Sequence, residues 1–273
     1  MKKTLFALLI VTLAFPALAQ VRVDETRQVA ADATVTVENI SGSLQLTGWS
    51  RNEVQVSGTL GRGLEKVDVS QSGNRLDIRV IYPHDCHQCG GADLEIRVPA
   101  GCRLEVKAVS AEIEAGELSG EMRLESVSGT VTVSSSGPSL RAKSVSGDVV
   151  IRAAGPRVEA NTVSGTLTAT LPTLQEGDFE SVSGDIRIEA EIAAKGRVEA
   201  QTVSGDVELR LPATVGAGFE IHTFSGDIHN SFGPEARRTS QYGPGRELEF
   251  SNGNGSAQVY VKTLSGGVRL VKR

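Results

Sequence analysis

One four-residue word dominates this chain. Ser-Val-Ser-Gly or Thr-Val-Ser-Gly stands at Ser126–Gly129, Ser144–Gly147, Thr162–Gly165, Ser181–Gly184 and Thr202–Gly205. Variants follow at Thr223-Phe224-Ser225-Gly226 and Thr263-Leu264-Ser265-Gly266, with earlier echoes at Asn39-Ile40-Ser41-Gly42 and Leu118-Ser119-Gly120. The glycines Gly129, Gly147, Gly165, Gly184, Gly205, Gly226 and Gly266 are spaced 18, 18, 19, 21, 21 and 40 residues apart. The last interval covers two periods, with Phe250-Ser251-Asn252-Gly253 as a degenerate copy between them. Self-similarity at such a period marks a repeat architecture, in which each unit buries its apolar face only against the next.

Alignment on the glycine shows which positions face the core. Five residues before it stand Ala142, Ala160, Phe179, Ala200, Ile221 and Val261; two after it stand Val149, Leu167, Ile186, Val207, Ile228 and Val268. Four after it come Ile151, Ala169, Ile188, Leu209 and Leu270, and the positions between are mostly polar. Period-2 alternation on both sides of a turn is the pattern of strands buried on one face. The composition agrees: 30 Gly and only 4% aromatic residues suit thin strands with tight corners rather than a helical bundle.

The expected fold is therefore all-β, a β-solenoid of 18–21-residue rungs about 4.8 Å apart, with an antiparallel β-sandwich of hairpins as the alternative. The repeat glycines are expected to adopt positive φ, and the Ser or Thr three before each to hydrogen-bond the turn. Residues 20–103 read as a less regular N-terminal β-region covering the first rungs, and 104–273 as the solenoid. Within the solenoid, residues 229–247 read as an exposed Pro/Gly-rich loop.

The first nineteen residues read as a secretory leader: Lys2 and Lys3, an apolar run from Leu5 to Phe15, then Ala17-Leu18-Ala19. No second apolar run of spanning length follows, so the expectation is an exported chain in the periplasm or on the cell surface, with no transmembrane segment after cleavage. Loss of the leader deepens the net charge from −5 to −7. This balance, with few aromatics, excludes a general nucleic-acid binder.

Two clusters bear on chemistry. His84, Cys86, His87 and Cys89 have the spacing of zinc or copper ligands, but in an oxidising compartment a disulfide among Cys86, Cys89 and Cys102 is the plainer reading. Redox activity of this pair is a further alternative. Glu159, Asp178, Glu199 and Glu220, six before successive glycines, form a carboxylate column, and Asp148, Asp185, Asp206 and Asp227 form another. Such columns attract calcium or are neutralised by neighbours; Arg157 and Arg197 stand two residues before Glu159 and Glu199, and Arg187 and Glu189 are expected opposite Glu208 and Arg210. His222 and His229 are outward and read as ordinary surface residues, Trp49 as a packing residue, and Phe179, Phe219 and Phe224 as core. The repeated serines lack a matching histidine, so they read as turn caps rather than nucleophiles. No catalytic residue and no cofactor site is assigned.

The chain resembles the DUF4097 family of β-strand-repeat proteins, also labelled a putative adhesin domain. The resemblance rests on Gly48-Trp49, Glu53-Val54-Gln55-Val56, Glu95-Ile96-Arg97-Val98-Pro99-Ala100-Gly101, the Ser-Gly-Asp repeats and the closing Thr263-Leu264-Ser265-Gly266. It implies a repeat fold and carries over no catalytic residues. The functional expectation is a non-enzymatic envelope or surface scaffold with a protein or glycan partner. A polysaccharide-acting β-helix enzyme and metal handling at the Cys86/Cys89 loop are the alternatives.

Overall fold

A computed structural model describes residues 21–83, 89–152 and 155–273. The leader lies outside this range, as do His84, Cys86 and His87. All regular structure among the described residues is β, and its strands join in one hydrogen-bonded sheet. The fold is β-solenoid-like. The apolar columns named above all point inward, from Ala142, Ala160 and Phe179 at 0% exposure to Ile228 at 9%.

Two parallel ladders run the length of the molecule, one from the strand halves before each corner and one from the halves after it. In the first, Leu140 pairs with Met122 on one side and Val158 on the other. In the second, Val149 pairs with Val131 and Leu167. Partners lie one repeat apart and like columns align, so each aliphatic is covered by its counterparts above and below. Each inward Val, Leu, Ile or Phe so covered contributes roughly 1.5–3 kcal/mol. The sandwich alternative would need antiparallel pairing between copies. Among the described residues, antiparallel pairs occur only at the ends of the ladders.

Spatial order departs from chain order at both ends. Ala257–Ser265 lies between Arg197–Thr202 and Ala217–Ser225, pairing in parallel with both. Val268–Lys272 likewise separates Val207–Leu211 from Ile228–Asn230. The last copy in sequence is thus inserted beneath the one before it. The degenerate copy read at Phe250-Ser251-Asn252-Gly253 instead closes an antiparallel strand, Arg246–Asn252, that pairs with Ala217–Ser225.

The N-terminal region also differs from an irregular cover. Thr34–Trp49 is itself a full rung: its first half pairs with Arg75–Ile81 and Arg103–Leu118, its second with Ala92–Pro99 and Arg103–Leu118. The covering elements are Val21–Gln28, Glu53–Leu60 and Lys66–Ser72, which cap the ladders in antiparallel fashion. At the other end, residues 229–247 are mostly exposed but place Phe232 over the core, 5.7 Å from the Phe219 ring, which stacks on Phe250 at 4.6 Å. An aromatic lid closes that end because the final rung otherwise leaves its aliphatic face open to water.

Candidate functional site

The corner is built from the repeated word in a way the sequence half discloses. The Ser or Thr hydroxyl accepts a hydrogen bond from the amide of its own glycine: Ser126 from Gly129, Ser144 from Gly147 and Ser181 from Gly184 at 2.9 Å, and Thr162 from Gly165 at 3.1 Å. The same hydroxyls donate to the neighbouring rung, Ser144 to the Gly129 carbonyl at 3.4 Å and Thr162 to that of Gly147 at 3.3 Å. One buried side chain therefore serves a donor and an acceptor that water cannot reach.

The glycines do not adopt the expected positive φ; that conformation belongs to others, including Gly42, Gly73 and Gly253. Their requirement is spatial. A Cβ on Gly147 would lie 2.1 Å from the Gly129 carbonyl oxygen, and one on Gly205 2.3 Å from that of Gly184. Stacked corners approach so closely that only hydrogen fits.

The residue two before each glycine turns outward. Counted along the strand half before the corner, period 2 turns it outward, since positions three and five before it face inward. Counted from the half after the corner it would face inward, so the signal for this site lay in the sequence only once the alternation was known to break at the turn. Amides of the following serines bond the preceding rung, Ser164 to the Val145 carbonyl at 2.9 Å and Ser183 to that of Val163 at 2.8 Å, holding the outward residues in line. The line runs Ile40, Val109, Val127, Val145, Val163, then Val182, Val203, Leu264 and Phe224. All are between 41% and 61% exposed. Phe224, expected in the core, ends this outer column instead, because it occupies the valine position of its word.

Beside the column lies a groove of about 930 Å³. Val127, Val145, Val163, Val182 and Val203 form its apolar wall, and the residues two before each outward side chain form the polar wall, among them Lys107, Lys143, Glu180 and Lys262. Monomeric proteins seldom leave a contiguous apolar strip uncovered; such strips mark binding surfaces.

The carboxylate column forms only in part. Asp178 stacks between Glu159 and Glu199, but Tyr260 separates Glu199 from Glu220 because the last rung is inserted there. Burial pushes the Asp178 carboxyl up, and the charges of Glu180, Glu199 and Glu159 push it further. Burial acts in the same direction on Glu159, yet hydrogen bonds from Lys143 and Arg141 outweigh it and hold that carboxyl below the usual carboxylate range. Arg197 pairs with Glu199 at 3.1 Å, but Arg157 reaches Glu176 at 3.8 Å rather than Glu159.

Arg187 and Glu189 do stand opposite Glu208 and Arg210. Their ion pairs run elsewhere, Arg187 to Asp185, two residues before it, at 2.7 Å and Glu189 to Arg273 at 3.0 Å. The second acidic column caps backbone: Asp148 accepts the Thr166 amide at 2.8 Å, Asp185 that of Asp206 at 3.1 Å, and Asp206 that of Gly267 at 2.7 Å. Among the described residues, no group of three or more His, Cys, Asp and Glu is arranged to hold a metal ion.

Cys89 is disulfide-bonded and Cys102 is a free, buried thiol, which excludes Cys102 from the candidate pairings; Cys86 lies outside the described residues. Burial raises the Cys102 thiol to about 12. His222 bonds Glu220 at 3.1 Å, and Trp49 donates its indole proton to the Glu53 carbonyl at 2.8 Å beneath the Arg51 guanidinium.

Similarity to known proteins agrees with this architecture. A putative adhesin from Bacteroides fragilis NCTC 9343 is 11% identical, with 93% of this chain and 98% of that one covered, at a TM-score of 0.52. A putative adhesin from Parabacteroides distasonis ATCC 8503 is 12% identical, covering 92% and 97%, at 0.47. A putative lipid binding protein from the same organism is 11% identical, covering 92% and 97%, at 0.39. At 11% identity the likeness to the Bacteroides fragilis protein is one of fold alone. No curated protein matches the chain. The family pattern of Toastrack DUF4097 matches residues 20–190 and 173–271, and with nearly the whole chain covered, the protein belongs to the DUF4097 family.

Proposed function

We propose that this chain is an exported, non-enzymatic scaffold of the cell envelope or surface, and that its binding face is the apolar corner groove. The observation that carries the reading is the unbroken outward line from Ile40 to Phe224, held in register by backbone bonds that already stabilise the fold. Nothing in the corner's own packing calls for valine there. The hydroxyl and glycine build the turn, while the valine side chain faces water. The leader-like start, a family fold shared with a protein named as an adhesin, and the lack of a membrane-spanning helix among the described residues fit an envelope location. The charged groups that line the groove are the lysines and glutamates of its polar wall, a set suited to holding a ligand rather than to nucleophilic attack.

The test is co-sedimentation of the exported protein with isolated envelope fractions. The wild type is expected to pellet with them, and the Val163→Lys, Val182→Lys double variant to stay in solution with an unchanged melting temperature. Equal behaviour of the two would refute the assignment of the face.

A further inference from the structure

Resting on that reading of the face, we infer that the groove takes the single acyl chain of an anionic amphiphile, a long-chain carboxylate, with its head group at Lys262. Shape selects among occupants first. From Leu264 through Val203, Val182 and Val163 to Val145 the apolar wall runs four rung steps, about 19 Å at the usual strand spacing. One lipid tail spans half a bilayer core, about 15 Å. A second copy of the chain fits poorly: the whole column is roughly 38 Å long and one sheet spacing wide, so it offers roughly 400 Å² a side where a stable interface needs about 800 Å².

Hydrogen bonding then separates hydrocarbon from polypeptide. The corner backbone beneath the valines is spent on its own ladder, as in Ser164 to Val145, Ser183 to Val163 and Ser204 to Val182. An extended peptide laid on the valines would find no edge to join, and its amides would be desolvated unpaired. An acyl chain has no such groups.

Charge sets the direction. Three lysines line the polar wall. Lys107 stands between Glu38 and Glu125, and Lys143 is paired with Glu159 at 3.0 Å. Lys262 has Gln201 on one side and His222 on the other, so no carboxylate stands beside it in its column. It is the ammonium best placed to meet an incoming carboxylate, with the tail running away from the Phe224 end.

The experiment titrates delipidated, exported protein with palmitate, octanoate and hexadecyltrimethylammonium, read by calorimetry and native mass spectrometry. Palmitate is expected to bind one to one, octanoate at least tenfold more weakly, and the cation more weakly than palmitate. The Val163→Lys, Val182→Lys variant should lose at least tenfold in palmitate affinity and Lys262→Glu about fivefold. The near-isosteric Val163→Thr, Val182→Thr pair, checked by its melting curve, should weaken binding without disturbing the fold. Three results would overturn the inference: no palmitate binding by protein that still pellets with envelopes, which sinks the ligand class and leaves the scaffold reading standing; palmitate binding unchanged in the groove variants; or self-association abolished by Val163→Lys, which would give the face to a second copy.

Discussion

Gly184 lies so close to Gly165 that a Cβ on Gly184 would sit 1.8 Å from the Gly165 carbonyl oxygen. The obstacle is backbone in a ladder bonded on both sides, so neither corner can yield alone. Gly184→Ala is expected to cost about 3 kcal/mol in a urea melt, in the range of severe packing faults. Gly73, at φ 58° with open space around it, provides the contrast. There Ala meets only backbone strain and should cost about 1 kcal/mol. Equal costs would mean that conformation rather than contact dictates the repeat glycine.

Insertion of the last copy has a direct geometric consequence. Ser265 follows Leu264 in the corner stacked on Val203 and Ser204, since its amide bonds the Val203 carbonyl at 2.8 Å, while Ser225 pairs with Ser265 from the far side. Neighbouring corners stand about 4.8 Å apart and alternate ones about 9.6 Å, against the roughly 4.4–6.8 Å between Cα atoms that a disulfide accepts. The pair Ser204→Cys, Ser265→Cys should cross-link on mild oxidation, and Ser204→Cys, Ser225→Cys should not. The reverse pattern on a gel would restore chain order to the stack.

Asp178 stands between two carboxylates and is raised by burial and by their charge. A carboxyl raised in the folded state binds its proton more tightly there than in the unfolded chain. The folded state is therefore penalised while the group is ionised, and relieved as pH falls through its range. Discounted for solvent screening, Asp178→Asn should stabilise by about 0.5 kcal/mol at pH 7, with the advantage shrinking toward pH 4. A destabilised variant at pH 7 would show that the column holds a counter-charge.

Cys102 is buried, with its thiol raised from the usual 9.0 to about 12. Its thiolate at pH 8 is scarcer than that of an exposed cysteine by roughly a thousandfold. Thiol reagents should therefore label it only after denaturation. The contribution to stability is whole below pH 9 and is lost as pH rises from 9 toward 12, because the unfolded chain then releases its proton first. Prompt labelling of native protein by an aromatic disulfide would contradict the burial.

Much of the fold can be read from particular columns. Parity alone places Ala160, Ile186 and Leu209 inside, and the chemistry of their hydroxyls places Ser144 and Thr162 on the turn backbone. The acidic residues are harder: Asp148, Asp185 and Asp206 read as a line of charge, and prove to be caps on the amides of the next rung. A sequence shows which residue carries a carboxylate, but not which amide a neighbouring rung leaves open beside it.

Periodicity of 18 to 21 residues and the alternation around each glycine were enough to fix the inward and outward faces of the repeat strands, since a side-chain period of two leaves no other choice. The outward turn of Val145, Val163 and Phe224 was not fixed in that way, because the alternation breaks at the corner between them and the next inward residue. Which copy lies beside which was decided only in three dimensions. The copies present the same columns, so Val261 packs equally well on Ala200 or Ile221 and here meets both. The close contact that makes glycine obligatory, and the groove between the valines and Lys262, exist only once those corners are stacked.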